Sequence, residues 1–516
     1  MRWFAGVVAG LGLVVSAAGA CGGHPDAPAS DDAGPAVPPG SDAPAAIPGV
    51  PGPSQNVPDG THSLELKRTL TVRLDPGSDA KIIGTIGVDT RVAVGRAESA
   101  HGCGKPWVEV EPRGWVCSDY MVPSKKLPYG QEVPHLERGE IVPGVYGKVT
   151  VPNSMSYMLE KPEPPKKKPK KDRDRDRKQH GRPVTSPSDV DDDANTPATT
   201  AAGATAKGPH MVEDKPLVGS VNVRQYDEVT IDGKTYWKVS QKDNQYVLAS
   251  AITRHQPSRW GGARLGDDTG WGVPFGFVWP RGGMYEAYTL AKATGGGVVR
   301  EVPARTAVPV LDAQDDAAGK PTAYRIGAAE WIAAADAKVF TVLPPPPLLQ
   351  PGERWIDVDL DAQILVAYEG DTPVYATLVS TGGKETPTKT GVYRIWRKES
   401  EADMNGLNGE DPYSVATVPW TEFFSVEDQY ALHTAYWHDG FGRARSHGCV
   451  NLAPRDARWL YFWSDPQVPP GWVMSAGNVD APGSIVRIRS AADPSPEYRG
   501  YAKRVYEARQ VKGAGQ

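Results

Sequence analysis

Ser446-His447-Gly448-Cys449-Val450-Asn451-Leu452 is the stretch from which the rest of the chain is best read. Its end alternates apolar, polar, apolar, which sets His447-Gly448-Cys449 inside a β-strand pattern. Upstream lies Tyr430-Ala431-Leu432-His433-Thr434-Ala435-Tyr436-Trp437-His438-Asp439, which places His433 16 residues before Cys449. Cysteine with histidine is the smallest workable acyl-transfer kit. The imidazole takes the thiol proton and the thiolate is the nucleophile. A carbonyl or carboxylate must hold the imidazole tautomer, and backbone N–H groups must face the developing oxyanion. Gly448 lets the chain approach a substrate closely and sets N–H groups beside the sulfur. Residues alone leave this at a cysteine acyl-transferase, with His438 and His447 competing for the base role. His438-Asp439 reads as a turn, since no further ligands stand at metal spacing.

Working outward, Pro454 to Trp463 predicts a short helix, with Pro at its start and Ala457, Leu460 and Tyr461 on one face. Ile356, Val358 and Leu360 alternate with Asp357 and Asp359; Ile364, Val366 and Tyr368 alternate again; Val374 to Ser380 gives a third strand. This is an antiparallel meander. Trp420, Phe423 and Phe424 are expected in the core, with a cleft-lining role for Trp420 or Tyr436 left open. Asp411 to Tyr413 is placed in a lid.

The first 20 residues carry a single charge, Arg2, then an apolar run from Phe4 to Val15 and small residues up to Cys21, the layout of a signal peptide. Ala18-Gly19-Ala20-Cys21 resembles a bacterial lipobox, which implies lipidation of Cys21. The residue after it, Gly22, leans the expected anchor toward the outer membrane. Residues 21–61 are rich in Pro, Ala and Gly and are read as a tether. In polyproline-II form such a tether would reach on the order of 120 Å at about 3.1 Å per residue. Residues 62–125 read as a small β unit, with strands at Leu70–Leu74, Ile82–Ile86 and Val92–Val94 and a closing hairpin across Pro112-Arg113. A second such unit, 126–256, ends alike in Tyr236-Trp237-Lys238-Val239 and Tyr246-Val247-Leu248. It is interrupted by a polar insert, 161–210, expected to be disordered. A third unit of this kind, or a linking β domain, spans 257–345, with Glu330-Trp331-Ile332 as its closing strand. All three resemble the SH3-like domains of bacterial wall enzymes. Of four cysteines, Cys103 and Cys117 flank the first closing hairpin and are expected to form a disulfide, Cys21 is the anchor, and Cys449 is left unpaired. A net charge of −5 and a pI near 6.1 give no nucleic-acid signature.

Ser446-His447-Gly448-Cys449-Val450-Asn451-Leu452, preceded by His433, closely resembles the signature of the L,D-transpeptidase (YkuD) family, and the resemblance covers Leu349 to Ser490. It implies a β-sandwich with short helices, so the whole chain is expected to be mainly β and multidomain, closing in a C-terminal tail at 491–516. It implies Cys449 as acylated nucleophile, His433 as general base, and the backbone carbonyl of Thr434 as the group orienting His433. The N–H groups of Gly448 and Cys449 would form the oxyanion hole. His447 and Ser446 would shape the site, and Asn451 would brace its loop. Thr434 and Asn451 stand where many members carry Gly and Arg, which touches these supporting roles and not Cys449. The implied substrates are peptidoglycan stem peptides, with another stem or an envelope protein as acceptor and no metal or cofactor. The alternatives are a wall endopeptidase of the NlpC type, an L,D-endopeptidase on the same fold, and a non-catalytic wall-binding lipoprotein. The first places Cys before His, the reverse of the order here.

Overall fold

The computed structural model describes residues 57–161, 208–266, 274–280, 288–406 and 412–514. The expected signal segment, Cys21, most of the tether and insert, and Asp411 lie outside these residues. The C-terminal part is built from β1 (Arg354–Asp359), β2 (Ile364–Glu369), β3 (Thr372–Leu378), β4 (Gly391–Arg394), β5 (Arg397–Gly406), β6 (Tyr413–Phe423), β7 (Ala431–Thr434), β8 (Val450–Leu452), α1 (Pro454–Trp463), β9 (Trp472–Ala476), β10 (Ile485–Arg489) and α2 (Gly500–Ala514).

Two sheets face each other. The first runs β3-β2-β1-β10-β4: an antiparallel meander from β1 to β3, with β10 parallel to β1 and antiparallel to β4. The second is centred on the long β5–β6 hairpin, with β9 on the far side of β5 and β7 on the far side of β6. β8 then pairs with β7 in parallel. Ile356, Val358, Leu365, Leu432, Val450 and Leu452 fill the space between, together with Leu460 and Trp463 of α1. Asp357 and Asp359 alternate with apolar residues along β1, the pattern of a strand with one wet face. Asp357 is instead buried and takes both Arg487 and Arg489 of β10, at 2.6 and 2.8 Å. A buried carboxylate is tolerated when such partners satisfy it.

The tail expected at 491–516 contains α2. Tyr501, Ala502 and Val505 are buried, and Arg509 reaches Glu353 at 2.7 Å, where Arg394 also binds. The helix shows little apolar periodicity and is held by those contacts, which the sequence pattern did not signal.

N-terminal to the sandwich, one eight-strand order occurs three times. It runs from Ser63–Leu66 to Met121–Ser124, from Val145–Val149 to Ile252–Arg254, and from Phe275–Val278 to Ala337–Phe340. In each unit the fourth, first and eighth strands are neighbours, and so are the third, second, seventh, sixth and fifth. Each also carries a short 3-10 turn between its last two strands: Ser118–Tyr120, Ala249–Ala251 and Ala334–Asp336. In the first unit Trp107–Glu109 pairs with Trp115–Cys117, and Cys103 and Cys117 are joined in a disulfide.

The three units are not strung along a line; each is joined to the sandwich. The third strand of the first unit, Ile82–Ile86, adds antiparallel to β9. The fourth strand of the second unit adds parallel to β6, Ser220 opposite Tyr413 and Asn222 opposite Val415. The outer edge of β9 and the stretch of β6 that β7 leaves unpaired are thereby covered, which removes the hazard an unpaired edge presents. The third unit covers a face. Phe275, Phe277 and Phe340 pack on Trp355, Ile364, Val366, Tyr368 and Leu378, the side of the first sheet turned away from the second. That cover is why β1 and β2 are buried on both sides.

Candidate active site

Parallel pairing of β7 with β8 sets Leu432 opposite Val450 and His433 opposite Asn451, which brings Cys449, at the entrance to β8, beside the His433 strand. Both open on a cavity of about 190 Å³ that is also lined by Met404, Tyr413, Trp437, His438, Arg445, Ser446, His447 and Asn451. Cys449 is half-buried and is the free cysteine among the described residues.

His433 is 2% exposed. Its Nδ1 lies 2.9 Å from the backbone carbonyl of Thr434. A carbonyl only accepts, so Nδ1 carries the ring proton and Nε2 is left as the base. Burial pushes the imidazole down to about 4, against a smaller upward pull from the Thr434 carbonyl. Burial likewise pushes the Cys449 thiol up to about 11, offset in part by the backbone at Ala431. Both shifts favour the uncharged forms near neutrality. The ring of Trp437 stacks on His433, centroids 5.8 Å apart, and fixes its plane.

The loop before Cys449 is tied down by short polar contacts. Ser446 Oγ donates to the Cys449 carbonyl and accepts from the Gly448 N–H at 3.1 Å. Thr388 donates to the Gly448 carbonyl at 2.7 Å. Gly448 has φ +120°, and a Cβ there would lie 2.4 Å from the Tyr430 ring, so only glycine fits. The Gly448 N–H, expected to face an oxyanion, is bound to Ser446 Oγ in this structure.

Asn451 braces the loop through backbone bonds to Ser380 at 2.9 and 3.0 Å, and its side-chain amide faces His438 Nε2 at 3.0 Å. His438 is held neutral by burial, down to about 3, and its Nδ1 accepts from the Gly440 N–H. Its proton is then on Nε2, and the amide oxygen of Asn451 must be the atom turned toward it. His447 is exposed, and its ring stacks on Tyr413 at 4.7 Å.

The two residues for which a cleft-lining role was left open do not line the cavity, and Trp420 is in the core where it was expected. Trp420 is 0% exposed in the core between the sheets, turned there by a positive φ of 53° on β6. Tyr436 is fully buried beneath the cleft. Its hydroxyl donates to the Ala416 carbonyl at 2.9 Å, and its ring lies 4.0 Å from Tyr146 of the second unit, so it joins the two units rather than lining the cavity. The next residue, Trp437, takes the lining position. Tyr413, placed in a lid by the sequence, reaches the cavity wall. Among the described residues Cys103, Cys117 and Asp119 lie at metal-ligand spacing, but the two sulfurs are in the disulfide and neither can serve as a thiolate ligand.

Residues 353–488 match the family model described as the YkuD L,D-transpeptidase catalytic domain. Among curated proteins, the putative L,D-transpeptidase YciB of Bacillus subtilis (strain 168) is 28% identical over 116 residues, 21% of this chain and 59% of that protein. The chain thus spans less than two thirds of that relative's length. Solved structures that resemble it include an L,D-transpeptidase from Mycobacterium smegmatis, at 16% identity over 46% of this chain and 90% of that one, TM-score 0.23. The catalytic domain of the E. faecium L,D-transpeptidase is 24% identical over 27% of this chain and 98% of that one, TM-score 0.21. The segment that carries Cys449 and His433, residues 353–488 and about a quarter of the chain, therefore matches the L,D-transpeptidase catalytic domain.

Proposed function

We propose that this protein is a peptidoglycan L,D-transpeptidase. The observation that carries the reading is the oriented base: Thr434 fixes the proton of His433 on Nδ1, which leaves Nε2 available in the cavity that Cys449 opens on. The donor is a tetrapeptide stem ending in D-Ala. His433 Nε2 takes the thiol proton as Cys449 Sγ attacks the carbonyl between the third residue and D-Ala. The oxyanion forms beside the Cys449 N–H. Collapse breaks the peptide bond, and D-Ala leaves with the proton from His433. The thioester is then attacked by an amine of an acceptor stem. That amine gives a proton to His433, and the thiolate takes it back as it departs. The product joins two third-position residues; an amine on an envelope protein would give anchoring instead.

The same reading puts the chain in the cell envelope, lipid-anchored through Cys21 by its lipobox-like sequence, and takes the three N-terminal units as SH3-like. The test is mass spectrometry after incubating Gly22–Gln516 with disaccharide-tetrapeptide. A dimer lacking one D-Ala is expected, and none with Cys449→Ala. Dimer formation by the variant, or no release of D-Ala by the wild type, overturns the reading.

A further inference from the structure

The cavity around Cys449 has a wall that the catalytic segment does not supply. Ser220 and Asn222, both from the second N-terminal unit, line it alongside Tyr413, Val415 and His433. Their placement follows from the strand geometry. Side chains alternate along Ser220–Gln225. Val221 and Val223 point into the second unit's own core with Trp237, and Ser220 and Asn222 point the other way. Because this strand adds in parallel to β6, residues in register share a face. Ser220 stands beside Tyr413, and Asn222 beside Val415, on the cavity side.

Asn222 is 5% exposed and does not hang loosely into the cavity. Its Oδ1 lies 2.8 Å from His255 Nε2. Burial holds the His255 ring neutral, and its proton sits on Nε2 facing the Asn222 oxygen. His255 is itself anchored: its N–H donates to the Tyr146 carbonyl at 2.9 Å, and its ring rests against Tyr436 at 5.6 Å. With Oδ1 so engaged, the Asn222 amide N–H groups have no hydrogen bond among the described residues and are turned to the cavity. A nearly buried amide, oriented by a second buried side chain and presenting its donors to a nucleophile's cleft, is a built recognition element. Donors of this kind fix orientation in otherwise apolar pockets.

We infer that Asn222, held by His255, is a substrate-positioning residue of the Cys449 site, donating to an oxygen acceptor of the peptide stem. The second unit is in that case a structural part of the active site. This rests on the transpeptidase reading for the identity of the stem, and the juxtaposition itself stands on geometry.

The experiment uses Gly22–Gln516 and two readouts. In a Cys449→Ala background, calorimetry gives the affinity for disaccharide-tetrapeptide with and without Asn222→Ala. In the active protein, D-Ala release gives kcat and KM. Loss of one hydrogen bond of ordinary strength predicts a Kd and a KM raised about five- to tenfold, with kcat within about twofold. Asn222→Asp keeps the shape and the bond from His255 but removes the donors, and should raise KM at least as much. Alkylation of Cys449 by iodoacetamide should be unchanged in both. Unaltered Kd and KM in both variants overturn the inference. So does an equal loss of affinity and thiol reactivity, since that marks collapse of the cleft rather than loss of a contact. Absence of D-Ala release by the wild type sinks the transpeptidase reading instead, and the affinity measurement still decides the role of Asn222.

Discussion

Burial favours the uncharged forms of Cys449 and His433 by acting on them in opposite directions, up to about 11 for the thiol and down to about 4 for the imidazole. Below its raised value the thiol stays protonated, so the thiolate fraction climbs with pH across the neutral range, about tenfold per pH unit. Alkylation of Cys449 by iodoacetamide should follow that slope from about pH 6 to pH 9. A plateau beginning near pH 6 would indicate a preformed thiolate–imidazolium pair and count against the neutral dyad. Much at this scale was legible in the sequence. The residues expected as nucleophile, base and orienting carbonyl, Cys449, His433 and Thr434, sit in two short segments, and it was the family resemblance that chose His433 over His438 and His447. The hydrogen bond from Gly448 to Ser446 was not legible, since it depends on one loop conformation. Trp420 lies in the core, as expected, and the cleft-lining role left open for it and for Tyr436 falls away, because a bulky side chain in a strand faces whichever side the local register gives it. Positive φ at Thr417 and Trp420 breaks the simple alternation there.

Strands and helices within each unit follow from patterns that side chains announce. The meander from β1 to β3 and helix α1 stand where period and an initial Pro put them. The addition of Ser220–Gln225 to β6 has no such announcement, because its bonds are main chain to main chain and span nearly two hundred positions. One local trace of it exists. Gly219 has φ +75°, and a Cβ there would lie 1.9 Å from the Pro412 carbonyl, which accepts from Ser220 at the start of the ladder. Gly219→Val is therefore expected to loosen this junction. Strain at a left-handed position costs about 1–3 kcal/mol, before the clash is counted. The thermal midpoint should fall, and KM should rise more than kcat falls as Asn222 is displaced. A variant with unchanged melting would mean that the strand addition contributes nothing to stability.

At the scale of the whole molecule, the sandwich is covered on two edges and one face by the repeated units. Polar ties reinforce the cover: Arg458 of α1 binds Glu132 at 2.7 Å, and Arg305 binds Asp439 at 2.6 Å, next to His438. Excision of residues 349–490 would bare β6, β9 and the aromatic face of Trp355 and Tyr368 together. The fragment is expected to self-associate or to be recovered insoluble, whereas Gly22–Gln516 stays dispersed. Size-exclusion chromatography with light scattering distinguishes the two, and a stable monomeric fragment would show that the docking is dispensable. Composition gave no sign of this arrangement, since linkers and turns look the same whether the units they join are docked or apart.

In the second unit the hairpin strands Met155–Glu160 and His210–Pro216 are cross-paired up to Glu160 opposite His210. The chain from 161 to 209 therefore leaves and re-enters at a single cross-strand pair. Closure of such an excursion depends only weakly on its length, about 0.6 kcal/mol for each doubling. The position is thus a natural port for engineering. A reporter domain or affinity handle spliced between Glu160 and His210 should leave the cleft undisturbed, and that would let the protein be tracked or immobilised without touching either chain end.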